Sequence, residues 1–193
     1  MKKDIILSGV GGQGIISIAA IIGYSALEQG MYLKQSEVHG MSQRGGEVMS
    51  NLRISHNPIA SDLIPFGQAD MIISIEPLES LRYLPYLSSE GWLITNTTPF
   101  NNIPNYPEME KVMAEVEKVP HHIALGADAI AKEVGSTKAT NIVILGAAAP
   151  FLGMAYEKLE DAIRYIFRKK GDKVIQLNLD ALNAGYEFAR KHI

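Results

Sequence analysis

A chain of 193 residues is about the length of one domain. Hydrophobic residues make up 47% and charged residues 20%, an ordinary globular balance that excludes a disordered tail, a collagen-like fibre and a highly charged nucleic-acid arm. Lys and Arg number 18 against 21 Asp and Glu, a formal net charge of −3, so the basic excess expected of a protein that tracks nucleic-acid phosphates is missing. Cysteine is absent, which rules out a disulfide, a thiol nucleophile and an iron–sulfur cluster held by thiolates of this chain. Lys2 and Lys3 precede only the short apolar run Ile5–Leu7, so the N-terminus does not read as a signal peptide. The longest largely apolar stretch, Ile142 to Tyr156, is shorter than the ~20 residues a bilayer requires, and Gly146, Pro150 and Gly153 interrupt it. The expectation is a cytoplasmic protein with neither a membrane nor a nucleic-acid partner.

Asp4 to Ser8 reads as a strand buried on both faces, because Ile5, Ile6 and Leu7 form an unbroken apolar run. Glycines from Gly9 to Gly14 form a turn, and Ile15, Ile18, Ile22 and Ala26 then recur at helical spacing as far as Gly30. A second strand is expected over Met31–Gln35, followed by a polar loop from Ser36 to Gly46. From Glu47 to Ile54 the period becomes two: Val48, Ser50, Leu52 and Ile54 share one face, as in an antiparallel or near-edge strand with a wetter reverse. Further strands are expected at Met71–Ile75, Trp92–Thr95 and Val119–Ile123. Helices are expected from Pro77, shortened by Pro85, from Pro107, and over Ala127–Val134, Asn141–Gly153 and Lys158–Lys170. Thr140 and Asn141 read as a capping site, and Asn178 as the cap of a final helix. Strands alternating with helices give an α/β fold, a three-layer α/β/α sandwich with a mainly parallel (mixed) sheet, Rossmann-like, spanning 1–193 as one domain. Ligands of such sheets bind at the carboxyl ends of the strands.

Two segments carry the chemistry. Gly9-Val10-Gly11-Gly12-Gln13-Gly14 sits between strand and helix, where glycines bring backbone amides close to an anion; the alternative is a tight packing turn. A nicotinamide or flavin dinucleotide would need an acid at the end of the second strand, and Glu37 lies beyond that strand in the expected loop. The second segment, Ser36 to Gly46, combines Glu37, His39, Arg44, Gly45 and Gly46. Arg44 offers a planar fork to carboxylate or phosphate, and His39 could move protons near neutral pH; the alternative is a surface loop with local ion pairs. The candidate binding residues are therefore Gly9, Gly11, Gly12, Gln13, Gly14, Glu37, His39, Arg44, Gly45 and Gly46. No spacing of His and acids provides a metal set, and no catalytic residue is assigned.

Taken together, the Val10–Gly14 turn and the Ser36–Gly46 loop with its Gln43-Arg44-Gly45-Gly46 end resemble the gamma domain of 2-oxoacid:ferredoxin oxidoreductases. The likeness continues through Ala69-Asp70, Glu76-Pro77-Leu78-Glu79, Asn141–Ala147 and Asn183–Glu187. The Ser-Glu-Val-His-Gly-Met form of the second loop is most similar to the small (beta) subunit of indolepyruvate ferredoxin oxidoreductases. The resemblance implies a multi-subunit enzyme that oxidatively decarboxylates an aryl 2-oxoacid with coenzyme A to acyl-CoA, CO₂ and reduced ferredoxin. Thiamine diphosphate, its magnesium and the iron–sulfur clusters would belong to a large partner subunit, with coenzyme A as co-substrate, and this chain alone would be inactive. The competing reading is a free-standing NAD- or FAD-dependent reductase.

Overall fold

The computed structural model describes residues 1–39, 45–101 and 103–193, with His39 described by its backbone alone. In chain order the elements are β1 (Lys2–Val10), α1 (Ile15–Glu28), β2 (Tyr32–His39), β3 (Glu47–Ser55), β4 (Ala69–Ser74), α2 (Pro77–Arg82), β5 (Leu87–Asn96) and α3 (Met109–Val116). They continue with β6 (His122–Leu125), α4 (Ala127–Glu133), α5 (Thr140–Ala148), α6 (Tyr156–Phe167) and α7 (Asp172–Arg190). The strands form one sheet in the order β2-β3-β1-β4-β5-β6. β1, β4, β5 and β6 are parallel neighbours, whereas β3 is antiparallel to both β1 and β2. The mixed, mainly parallel sheet expected from the sequence is thus present, and the antiparallel member is the strand with period-two alternation.

Burial explains the pattern. Ile5, Ile6 and Leu7 are wholly inaccessible because β1 is central and both its faces are covered, each side chain contributing about 1.5–3 kcal/mol of apolar burial. Ile5 and Leu7 join a large core beneath α1, α4, α5, α6 and α7; Ile6 joins a smaller core with Ile72, Leu93, Tyr83 and Val116 on the side of α2 and α3. On the side of the smaller core the segment 56–68 also lies against the sheet, with Ile64 buried and its N–H donating to Asn51 Oδ1 at 3.1 Å. Arg53 ties the segment down, donating to the carbonyls of Ser61 (3.0 Å) and Leu63 (2.9 Å) while pairing with the buried Asp4 at 2.7 Å.

Several sequence boundaries shift. Ser36–His39, expected in a loop, extends β2, because the whole of Tyr32–His39 pairs antiparallel with β3. β5 begins at Leu87, well before Trp92, and its early part, with Ser89 and Glu90 exposed, carries no apolar signature. β6 starts at His122 because Val119 still belongs to the turn leaving α3, with its N–H on the Val116 carbonyl at 3.0 Å. Asn178 does not cap a helix: α7 starts at Asp172, and Asn178 lies buried inside it, donating to the Val174 carbonyl at 2.7 Å. Among the described residues no helix is long and apolar enough to cross a membrane.

Candidate functional site

The glycine turn closes the carboxyl end of β1 and is held by hydrogen bonds within itself and to the second loop. Gln13 N–H donates to Val10 O at 3.1 Å, Val10 N–H donates to Gln13 Oε1 at 2.7 Å, and Gly11 N–H donates to Gly46 O at 2.8 Å. The last bond joins the two segments singled out in the sequence, bringing the Gly45-Gly46 end of the second loop onto the first. Gly14 starts α1 at φ 88°, a left-handed conformation that favours glycine, and a Cβ there would lie 2.6 Å from Asn141 Nδ2. That nitrogen donates to Gly14 O at 3.1 Å, so the start of α5 is fastened to the start of α1.

Both helix starts face a cleft of about 670 Å³ outside the carboxyl ends of β1, β4 and β5, whose lining includes Gly12, Gln13, Asn96, Phe100, Asp128 and Lys138. A second cleft of about 440 Å³ adjoins it, sharing Gly12, Gln13, Lys138 and Asn141 and adding Ser17 and Lys170. The first amides of α1 lack intrahelical partners by helix geometry. Neither α1 nor α5 has a side-chain cap or an acid in its first turn. Their positive ends are therefore open toward the clefts.

Asp128 is the only acid among the described lining residues of the two clefts, and it is committed. Its Oδ1 accepts from Thr140 Oγ1 at 2.9 Å and its Oδ2 from Asn96 Nδ2 at 2.8 Å, while Asn96 Oδ1 accepts from Ala127 N–H at 3.1 Å. Thr140 and Asn141 stand inside the first turn of α5 rather than at its N-cap; Asn141 Oδ1 accepts from Ile142 N–H at 3.0 Å, and both residues cross-link that turn, to α4 and to the glycine turn. The opposite wall is fixed by Glu76, which is buried. It accepts from Glu79 N–H (2.8 Å), Phe100 N–H (3.2 Å) and Tyr106 Oη (2.5 Å), so one carboxylate caps α2 and holds the Thr98–Phe100 wall. Burial and the neighbouring Glu76 push the Tyr106 hydroxyl well above its usual range, which keeps it a donor. Burial likewise pushes the Glu79 carboxyl up, against the opposing bond from Arg82.

Of the candidates, Gly12, Gln13 and Gly14 line these clefts, while Gly9 and Gly11 serve the turn. Gly9 is needed because a Cβ there would approach Gln13 Oε1 to 2.8 Å. Glu37 stands in β2 rather than in a loop, and lines a smaller pocket of about 290 Å³ that adjoins the clefts through Gly12, Gly14 and Ser17. His39 ends β2, but its side chain and Arg44 lie outside the described residues. Lys138 and Lys170 escaped the sequence reading. Their one signal was position, each just ahead of a helix start. Among the described residues no cluster of His, Asp or Glu is arranged to hold a metal ion.

The comparisons with known proteins agree with this geometry. The chain is 38% identical over 200 residues to the indolepyruvate oxidoreductase subunit IorB of Archaeoglobus fulgidus, covering 98% of this chain and 96% of the relative. It superposes with TM-score 0.72 and 25% identity on the gamma subunit of a keto/oxoacid ferredoxin oxidoreductase from Geobacter sulfurreducens, over 98% of this chain and 99% of that one. With TM-score 0.78 and 21% identity it also shares the fold of 2-oxoglutarate:ferredoxin oxidoreductase from Magnetococcus marinus, where 98% of this chain spans 31% of a longer one. The family model described as pyruvate ferredoxin/flavodoxin oxidoreductase matches residues 4–188, so the chain belongs to that family.

Proposed function

We propose that this chain is the small subunit of an indolepyruvate-type 2-oxoacid:ferredoxin oxidoreductase, acting in the cytoplasm beside a large catalytic subunit. The overall reaction joins an aryl 2-oxoacid to coenzyme A, releases CO₂ and passes two electrons to ferredoxin. Thiamine diphosphate with its magnesium and the iron–sulfur clusters do not fit this chain, which lacks cysteine and, among the described residues, any metal-holding cluster. We assign them to the partner. The contribution of this chain is to bind and orient the phosphate-rich arm of coenzyme A.

The observation that carries this reading is the polarity of the paired clefts. Asp128 is occupied on both oxygens, so the groups left to a ligand are the starts of α1 and α5 and the ammonium groups of Lys138 and Lys170. Donors and cations suit phosphate oxygens. The curated relatives are subunits of 2-oxoacid oxidoreductases, so the reductase alternative is not favoured.

Replacing both Lys138 and Lys170 with glutamine in the assembled enzyme is expected to raise KM for coenzyme A about tenfold. Each exposed pair to a phosphate is worth roughly 0.5–1 kcal/mol. KM for the 2-oxoacid should stay within about twofold, and the effect should shrink at high salt. An unchanged KM for coenzyme A at low ionic strength would overturn the assignment.

A further inference from the structure

Gln13 is fixed at one end of its amide and open at the other. Val10 N–H lies 2.7 Å from Oε1. A backbone N–H can only donate, so the amide nitrogen cannot stand in that place and the orientation of the group is settled. Asn96 and Asn141, also in the clefts, have both ends of their amides used: Asn96 Nδ2 donates to Asp128 Oδ2 and its Oδ1 accepts from Ala127 N–H, while Asn141 Nδ2 donates to Gly14 O and its Oδ1 accepts from Ile142 N–H at 3.0 Å. Gln13 Nε2, in contrast, has no partner among the described residues. Gln13 also lies at the junction of the two clefts, lining both.

We infer that Gln13 works as a polarised reader of the ligand: Oε1 locks the glycine turn, and Nε2 is thereby left as a fixed donor for a phosphate oxygen of coenzyme A. The inference rests on the coenzyme A reading of the clefts. The lock makes the donor selective. A free glutamine amide could rotate to accept from a hydroxyl or amine, whereas this one cannot rotate without stripping Val10 N–H of its partner. The position therefore favours groups rich in acceptors and disfavours donors.

Gln13→Glu separates the two roles, because it keeps an acceptor for Val10 N–H and replaces the donor with a carboxylate oxygen. In the assembled enzyme, KM for coenzyme A is expected to rise about ten- to hundredfold, the range of a lost charge-assisted bond. KM for indolepyruvate should stay within about twofold, and Tm within about 2 °C of wild type. Gln13→Met removes both ends; it should raise KM for coenzyme A and also lower Tm by about 3 °C. A wild-type KM for coenzyme A in either variant overturns the donor role, and a Gln13→Met enzyme that melts like the wild type overturns the lock. The Lys138→Gln/Lys170→Gln enzyme distinguishes the levels. If it loses affinity for coenzyme A and Gln13→Glu does not, the Gln13 assignment fails alone; if neither changes, the reading of the clefts fails with it.

Discussion

Gly185→Ala is expected to be the most destabilising single methyl addition in the chain. α5 and α7 cross with their backbones in contact. A Cβ on Gly185 would lie 1.9 Å from Val143 O, and a Cβ on Gly146 would lie 2.0 Å from Leu182 O. No rotamer change relieves an overlap with a carbonyl, so the helices must separate. Separation opens the large core, because Val143, Ala147, Ala181 and Leu182 are all buried around the crossing. Overpacking of this kind typically costs about 1–3 kcal/mol, and a contact with backbone belongs at or above the upper end. The better helix propensity of alanine offsets at most about 1 kcal/mol. At about 2–4 °C per kcal/mol for a domain of this size, a net cost of about 2–3 kcal/mol should lower Tm by about 4–12 °C in thermal melting. The exposed Asn183→Ala, on the same helix, should move Tm by no more than about 2 °C. A Gly185→Ala chain melting like the wild type would refute the close crossing. The crossing also explains why the resemblance runs through Asn141–Ala147 and Asn183–Glu187: each contains one of the two glycines that let the helices touch.

Arg53→Met is expected to cost about 3 kcal/mol and to reverse part of the pH dependence of stability. Asp4 is 1% exposed and Arg53 13%, and the guanidinium meets both carboxylate oxygens, at 2.7 and 2.9 Å. Burial alone would raise the Asp4 carboxyl; the bonds from Arg53 and Lys2 outweigh it and hold the group below its ordinary value of 3.8. A carboxyl lowered in the folded state stabilises the fold above its unfolded value, and that contribution is lost as pH falls through the folded value. In the wild type, Asp4 therefore weakens the fold only in strong acid, below about pH 4. Without Arg53, burial dominates and the carboxyl moves above its ordinary value. The sign then inverts: the variant gains stability, relative to neutral pH, as the medium is acidified toward pH 5. Breaking a buried pair by removing one partner costs about 3–5 kcal/mol. The exposed Lys2, 2.8 Å from Asp4, keeps the cost at the lower end. Urea titrations of both chains between pH 4 and 8 test this, and parallel pH curves would contradict it.

The sequence displayed most clearly what depends on local pattern. The buried run Ile5–Leu7, the glycine turn, the alternation of Glu47–Ile54 and the shortening of the Pro77 helix at Pro85 all follow from periodicity and backbone restriction, and each has its place in the fold. What escaped depends on partners far away in the chain. Asn178 has the composition of a cap, but the helix start is set by the turn before Asp172, and the asparagine is absorbed inside α7. Thr140 and Asn141 look like caps as well; Asn141 Oδ1 does accept from Ile142 N–H, but their long-range partners are Asp128 and Gly14. The clefts were legible only in half. The glycine turn announced a backbone site, whereas Lys138, Lys170 and the hydrogen-bonded Asp128 reach it through tertiary folding. Ser36–His39 was hidden for a related reason: its strand conformation is imposed by pairing with β3, not by its own polar sequence.

If this chain supplies a coenzyme A-binding wall to chemistry housed in another subunit, neither polypeptide should complete the reaction alone. Reconstitution tests it most directly, by following 2-oxoacid- and coenzyme A-dependent ferredoxin reduction with the large subunit, with this chain, and with both together. Turnover is expected only in the mixture, saturating as the two subunits reach their stoichiometric ratio. Full turnover by the large subunit without this chain, or any turnover by this chain alone, would contradict it.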